Sequence, residues 1–366
     1  MPDISVKVFR STDTGAPNMY GAPNSLIDVF DACLVNGFGS VTLNSLVVSS
    51  NVATGTVSTG HGFTLVGSTG PVIRVAGAAP SGLNGDFRIA SIPSATTFTF
   101  ATTGISDQTA TGTITAKRAP AGFAKTYSGT NKAAYRSDDV TGTIAYLRVD
   151  DSSSTSPLLN MYETMSDVDT GSGISPNRYY PKAYSASSTP LEGWRLISDS
   201  KYFYLFSKSY SSNWYGGMSF GDINSYKSND AYKSHLKSSQ SPTYIYDYQV
   251  FNDWGILSRS YSGLGSAILA SAYSNGRGGS ICDSMQIYPS PVDNSFHGWP
   301  VEVWEATSNV ARGIMPGLWN PIHKPGSGGM IETIISDIPQ LPGRELWAIT
   351  VYGNYVGAFD ITGPWR

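Results

Sequence analysis

Short runs of alternating apolar and polar residues, each cut off by glycine or proline, restrict this chain more than any other feature. Between Leu43 and Lys117 the strings "SLVVSSNVATGTVSTGHGF", "PVIRVAGAAPSGLNGDFRIASIP", "TTFTFATTG" and "ATGTITA" follow one another with almost no charge and no helical period. Period-two alternation turns one face of each run toward a core, and the turn residues between runs keep the strands short. The spacing predicts a small β-sandwich over 43–117. Strands are expected elsewhere too. "ISVKVFRSTDTGAP" reads as one strand, with Ile4, Val6 and Val8 alternating, and then a turn. "GTIAYLRVDD" reads as a strand carrying Ile144, Tyr146, Leu147 and Val149, and "GWRLISDSKYFYLFSKSY" as a hairpin with Asp199 at its turn. "MSFGDINSY", "WPVEVWEA" and "RELWAITVYGNYVGAFDITGPWR" are strand-like, whereas Tyr232 to Ser280 carries no clear pattern.

The composition agrees. Charged residues make up 14% of the 366 residues, against about a quarter in an average soluble protein. Thirty-nine glycines and 22 tyrosines fill part of the gap, and Tyr suits a pleated surface while Gly suits turns. The best helical pattern is "NSLIDVFDACLVNG". Asn24 or Ser25 can cap it, Asp28 sits in its first turn, and Gly37 can end it. Leu26, Phe30, Cys33 and Leu34 share one face, with Ile27 beside them, so this helix should dock on a sheet.

The segments flanking 43–117, "NGFGS" and "APAGFAKTYSGTNKAAYR", read as one interrupted module. An insertion is tolerated where the guest's chain ends lie close together at an exposed host loop. The expected fold is mostly β, a multi-domain β-sandwich architecture with one short N-terminal amphipathic helix and a small inserted β-sandwich. Three units are expected: an N-terminal α+β docking module from 1–42 with 118–160, the insert at 43–117, and a β-rich unit at 161–366.

A net charge of −3 with no basic run lacks the electrostatic footprint of a phosphate-backbone binder, so no nucleic-acid partner is expected. "MPDISVKVFR" has no apolar stretch after a basic start, so no signal peptide is expected. No run approaches the roughly 20 apolar residues of a membrane span, so no membrane insertion is expected. Cys33 and Cys282 form no C-x-x-C pair and read as two small buried hydrophobes, although spacing leaves a single bridge open. Trp365 and Arg366 should be tucked into the fold.

"YETMSDVDTGSG" (Tyr162 to Gly173) concentrates three acidic residues and invites a metal or acid-pair reading. An EF-hand loop starting at Asp167 would carry Asp169 at position 3. Position 5 is then Gly171, position 6 Ser172 and position 12 Arg178, so the ligand spacing fails. The alternative is a turn in which Asp167 and Asp169 tie down backbone N–H groups. Glu163, Asp167, Asp222 and Asp253 are candidates by residue type for a glycosidase pair, but sequence spacing cannot place two of them across a cleft. His61, His235, His297 and His323 are scattered, with no HExxH and no second histidine at ligand spacing. No nucleophile elbow and no P-loop are expected. No catalytic residue, cofactor site or metal site is therefore assigned, and the chain is not expected to be an enzyme. "SYSSNWYGG" (Ser209 to Gly217) and "YIYDYQVFNDW" (Tyr244 to Trp254) use the vocabulary of recognition surfaces, and equally that of a packed core or a permanent interface.

Seven strings together resemble an uncharacterised family of tailed-bacteriophage virion proteins. They are "SLIDVFDACLVNGFGS", "GFAKTYSGTNKAAYR", "YLRVDD", "YETMSDVDTGSG", "FGDI", "RGIMPGLW" and "FDITGPWR". They span most of the chain outside 43–117. The insert is itself similar to a small immunoglobulin-like module common in phage structural proteins, through "GHGF", "IRVAGAAPSGLNGDFRI" and "SATTFTFA". Asn84-Gly85 fits a hairpin turn there. The resemblance implies a virion structural protein and transfers no catalytic residue; within a virion, the tail tip or baseplate is the first expectation. The expected partners are other virion proteins and copies of itself, with a host surface glycan or receptor as a further partner. Capsid decoration, fibre anchoring and a receptor- or glycan-binding adhesin are the alternatives. Synthesis in a reducing cytoplasm and release by lysis would fit the sparse cysteines.

Overall fold

The computed structural model describes residues 2–183, 186–190, 193–208, 215–239, 256–260, 262–263, 266–271, 298–305, 310–321, 332–351 and 355–366. The fold is mostly β, in several antiparallel sheets with one short α-helix among the described residues. The longest sheet begins Lys7–Arg10, Trp194–Ser198, Tyr202–Lys208, Tyr215–Asp222, Ser234–Lys237, Ile256–Arg259 and Ser266–Ser271. It continues through Gly298–Glu305, Ala311–Pro321, Tyr355–Asp360, Leu346–Val351 and Glu332–Ile335.

The hairpin Trp194–Lys208 shows why this sheet sits at the centre. Asp199 makes the turn as expected, accepting from the N–H groups of Lys201 at 2.8 Å and Tyr202 at 2.7 Å. Trp194, Leu196, Phe203 and Leu205 face one core, whereas Ile197, Tyr202, Tyr204 and Phe206 face another. A strand apolar on both faces is buried on both faces, so the run "YFYLF" is continuous rather than alternating. On the second face the sheet rolls back on itself. Tyr204 and Phe206 meet Phe359 edge-on at 4.9 and 5.0 Å, and Arg195 reaches Glu332 at the far end of the sheet, 3.3 Å away.

The first face packs against a five-stranded sheet of Phe123–Gly129, Lys132–Ser137, Tyr146–Asp150, Leu158–Tyr162 and Arg178–Tyr179, with the helix held between the two sheets. Phe30 stacks edge-on against Tyr135 of one sheet at 5.6 Å and Phe203 of the other at 5.3 Å. Leu26, Ile27, Val29, Phe30, Cys33 and Leu34 are all buried. These residues share one broad face, as expected, while Asp28 on the other side is exposed and Asp31 half-buried. Burial pushes the Cys33 thiol well up. Cys282 lies outside the described residues, and so does the question of a bridge.

Helix boundaries and caps differ from expectation. The α-helix is Ser25–Phe30 and continues as a π-helical turn, Asp31–Asn36, ended by Gly37 at φ 71°. The carbonyls of Cys33 and Leu34 accept from Ala121 and Gly122 instead of continuing the helical ladder. Asn24 stands at the cap position but its side chain bonds Asp28, and Ser25 bonds the Tyr20 carbonyl. The cap comes from Asp151, whose Oδ2 accepts from Leu26 at 2.8 Å and Ile27 at 3.4 Å. Its Oδ1 pairs with Lys182, both side chains fully buried. A carboxylate at a helix N-terminus satisfies orphan N–H groups and complements the dipole, wherever in sequence it originates.

Other expectations shift by a few residues. Val6 is buried but Ile4 is exposed, and the first strand starts at Lys7. Ile144 is exposed ahead of the strand Tyr146–Asp150. The first strand pairs with Trp194–Ser198, and one core draws on Phe9, the helix, 121–161 and 194–236, so the expected boundary at 160/161 does not divide the cores.

Residues 43–116 supply their own core, centred on Leu46, Ile73, Leu83, Phe98 and Phe100. The entry strand Phe38–Thr42 pairs with the exit strand Thr115–Arg118, which brings the chain ends of this segment together. It is also clamped sideways. Arg88 donates to the carbonyls of Val6 and Gly70, Lys7 pairs with Asp86 at 3.0 Å, and Glu345 accepts from Ser68 and Thr69. Asn84-Gly85 is not the hairpin turn. Asn84 is extended at φ −94°, and its side chain bonds the N–H and carbonyl of Ala78 across the loop 77–84.

Asp151 and Lys182 generate a prediction. Asp151→Ala leaves a buried ammonium and an uncapped helix, and should cost about 3 kcal/mol in denaturant unfolding. Adding Lys182→Met to Asp151→Asn should recover much of the loss incurred by Asp151→Asn alone. Burial, only partly offset by Lys182, pushes the Asp151 carboxyl up to about 6. A raised folded-state value favours the neutral form, so this group's contribution is full below the unfolded value of 3.8 and is lost as pH rises through about 6. Asp151→Asn should flatten that part of the stability–pH profile.

Candidate functional site

A cleft of about 170 Å³ opens between the loop before Tyr146, the end of the strand Leu158–Tyr162, and the segment leading into Ser234–Lys237. It is lined by the buried Ala145 and Met161, by the exposed apolar side chains Ile144 and Tyr232, and by the partly exposed pair of Glu163 and Arg259. Two of the carboxylates singled out by type, Glu163 and Asp222, meet this region, but in different states.

Asp222 lies behind the cleft wall and is almost fully buried. It accepts from the Thr143 N–H at 2.7 Å and from the hydroxyls of Thr143 and Ser234, with the Lys233 ammonium 3.6 Å away. A carboxylate so well supplied with donors holds two loops together, and Asp222 is not among the residues that line the cleft. Glu163 is partly exposed and takes the Arg259 guanidinium in a two-pronged pair, Nη2 to Oε2 at 3.0 Å and Nε to Oε1. Arg259 also donates from Nη1 to the Gly263 carbonyl at 3.1 Å, leaving two of its five N–H groups. Tyr232 is held at its backbone by Asp230, Ser258 and Arg312.

The carboxylates of the acidic loop are engaged in contacts within the chain. Thr164–Met165 and Gly171–Ser172 pair as a minimal hairpin. Asp167 accepts from the Asp169 N–H at 2.7 Å, as expected for a turn, and that bond holds its carboxyl low. Asp169 departs from expectation. It ties down no N–H but pairs with Arg148 and Lys132, which hold its carboxyl low. Asp253 lies outside the described residues, and no group of three metal-capable side chains occurs among those described.

His61 is buried in the insert, donating from Nε2 to the Ser94 carbonyl at 3.0 Å and accepting from the Phe63 N–H at 2.9 Å. His235 is fully buried, pushed down to about 3 by that burial, with Nε2 against the Tyr202 hydroxyl at 2.6 Å. His297 and His323 lie outside the described residues, as do the aromatic clusters except Tyr215–Gly217.

One motif escaped the sequence reading. "GMSFG" (Gly217–Gly221) meets the G-x-S-x-G spacing letter by letter. Ser219 nevertheless sits inside the strand Tyr215–Asp222, fully buried and accepting from the Tyr202 hydroxyl. An elbow needs its serine exposed on a strand-to-helix turn, and this serine has neither feature. The cleft was also missed, because its walls come from segments about 90 residues apart. No helix among the described residues is long and apolar enough to cross a membrane. Neither a scan against protein-family models nor a search of curated proteins finds a match to this chain.

The two carboxylates should respond differently to substitution. Asp222→Ala strands several buried donors and should cost about 3 kcal/mol in chemical denaturation. Glu163→Gln opens a partly exposed pair and should cost under about 1 kcal/mol. Calcium in excess should leave the melting temperature unchanged, and a rise abolished by Asp167→Asn would restore a metal site at the acidic loop.

Proposed function

We propose that the chain is a structural component of a tailed-bacteriophage virion, built into the tail tip or baseplate through permanent contacts with copies of itself and other virion proteins. The observation that carries this reading is where the seven resembling strings lie: they meet one another. Asp151 of "YLRVDD" caps the helix of "SLIDVFDACLVNGFGS". Tyr135 of "GFAKTYSGTNKAAYR" donates to Asp31 of the same helix at 2.7 Å. Asp169 of "YETMSDVDTGSG" pairs with Lys132 and Arg148. Arg366 of "FDITGPWR" donates to the Asp222 carbonyl of "FGDI" at 2.6 Å. Trp365 covers Gly317 of "RGIMPGLW" so closely that a β-carbon there would lie 2.1 Å from the indole.

Residues that maintain one another maintain a shape, and a chain recognised by its scaffold is suited to being a building block. The exposed apolar side chains Val140, Ile174 and Tyr226 supply surface for burial against a neighbour. Cryo-EM of the intact particle, with immunogold labelling of the chain, tests the assignment. Density at the tail tip or baseplate is the expected result. Location on the capsid would move the protein to decoration or fibre anchoring, and absence from purified particles would overturn the virion role.

A further inference from the structure

We propose that the cleft between Ile144 and Tyr232 binds a single uncharged sugar ring. Its size admits one ring, since about 170 Å³ falls below the roughly 300–1,000 Å³ of drug-sized pockets. Its chemistry is divided in the way such a ring is divided. A pyranose offers C–H groups on its faces and hydroxyls around its edge. The cleft offers apolar surface on its floor and walls, with Ile144 63% and Tyr232 37% exposed, and polar groups on its rim. Exposed apolar walls around a concave pocket are costly to leave wet, and an amphipathic ligand relieves that cost.

The rim discriminates by charge. Glu163 and Arg259 neutralise each other, so the site carries no net charge from this pair to attract an anion or cation. Together they still present carboxylate lone pairs beside two unused guanidinium N–H groups, a donor–acceptor edge that matches neighbouring hydroxyls. A charged ligand would have to break the pair to gain its own. The aromatic wall is also preorganised. Gly263, at φ +74°, lies against the Tyr232 ring so closely that a β-carbon there would stand 2.7 Å from it, which fixes the ring before a ligand arrives. The Tyr232 hydroxyl, at the edge of the ring that Gly263 abuts, has no hydrogen-bond partner among the described residues.

This inference stands on the cleft alone and is independent of the virion assignment. Saturation-transfer NMR on the full chain, with the methyl glycosides of glucose, galactose and N-acetylglucosamine beside glucuronic acid, provides the test. At least one neutral sugar should bind saturably. Tyr232→Ala and Glu163→Gln should each weaken that binding by about tenfold or more, and Val140→Ala, outside the cleft, should leave it unchanged. Tyr232→Phe keeps the ring and its packing, so it should retain partial binding and guards against a folding artefact in the alanine variant. Three results would overturn the proposal: no saturable binding of any neutral sugar, a preference for glucuronic acid, or binding unaffected by Tyr232→Ala and Glu163→Gln in folded protein.

Discussion

Two-sided burial of the hairpin Trp194–Lys208 is the constraint around which the molecule is arranged. Its residues alternate between two cores rather than between core and solvent, so each face demands a covering layer. On one side that layer is the helix and the five-stranded sheet. On the other it is the returning half of the same long sheet, with Phe359 and Trp365 against Tyr204. Buried tyrosines need partners for their hydroxyls, and these have them: Tyr202 donates to Ser219, Tyr204 to the Pro316 carbonyl and Tyr180 to Ser207.

Charge is scarce in this chain, and much of what there is works at seams between layers. Asp13 joins Arg118 and Arg10 where the insert leaves the body. Asp151 and Lys182 close the helix end. Arg312 meets Asp230 and Glu305 inside the long sheet. Burying such pairs adds little net stability, because desolvation offsets much of the attraction, yet losing one partner is costly. These pairs therefore act chiefly on geometry, penalising any arrangement that leaves a partner alone.

Legibility in the sequence followed interaction range. Asp199 at its turn, Gly37 at the end of the helical segment, Asp167 in its Asx-type turn and the alternation within 43–117 were all readable, because each depends on neighbours a few residues away. The caps were misassigned for the opposite reason. Asn24 and Ser25 have the right chemistry, but their side chains bond elsewhere and Asp151 takes the cap from 125 residues away, its burial partly offset by Lys182. "GMSFG" shows the converse, a local pattern whose meaning is cancelled by its position in mid-strand. Asn84 likewise has turn chemistry but is extended, its side chain bracing the loop through Ala78 instead.

Backbone preference and hydrophobic period suffice to make the described residues a set of antiparallel strands with one α-helix, because those quantities act within a few residues. Packing decides the rest. Which strand is covered on both faces, which carboxylate is saturated like Asp222 and which stays at a rim like Glu163 all depend on segments that meet only after folding. The cleft is the clearest instance. Ile144 and Tyr232 carry no mark in their own neighbourhoods, and come to line one site because the loop 138–145 is pinned to Asp222 by Thr143.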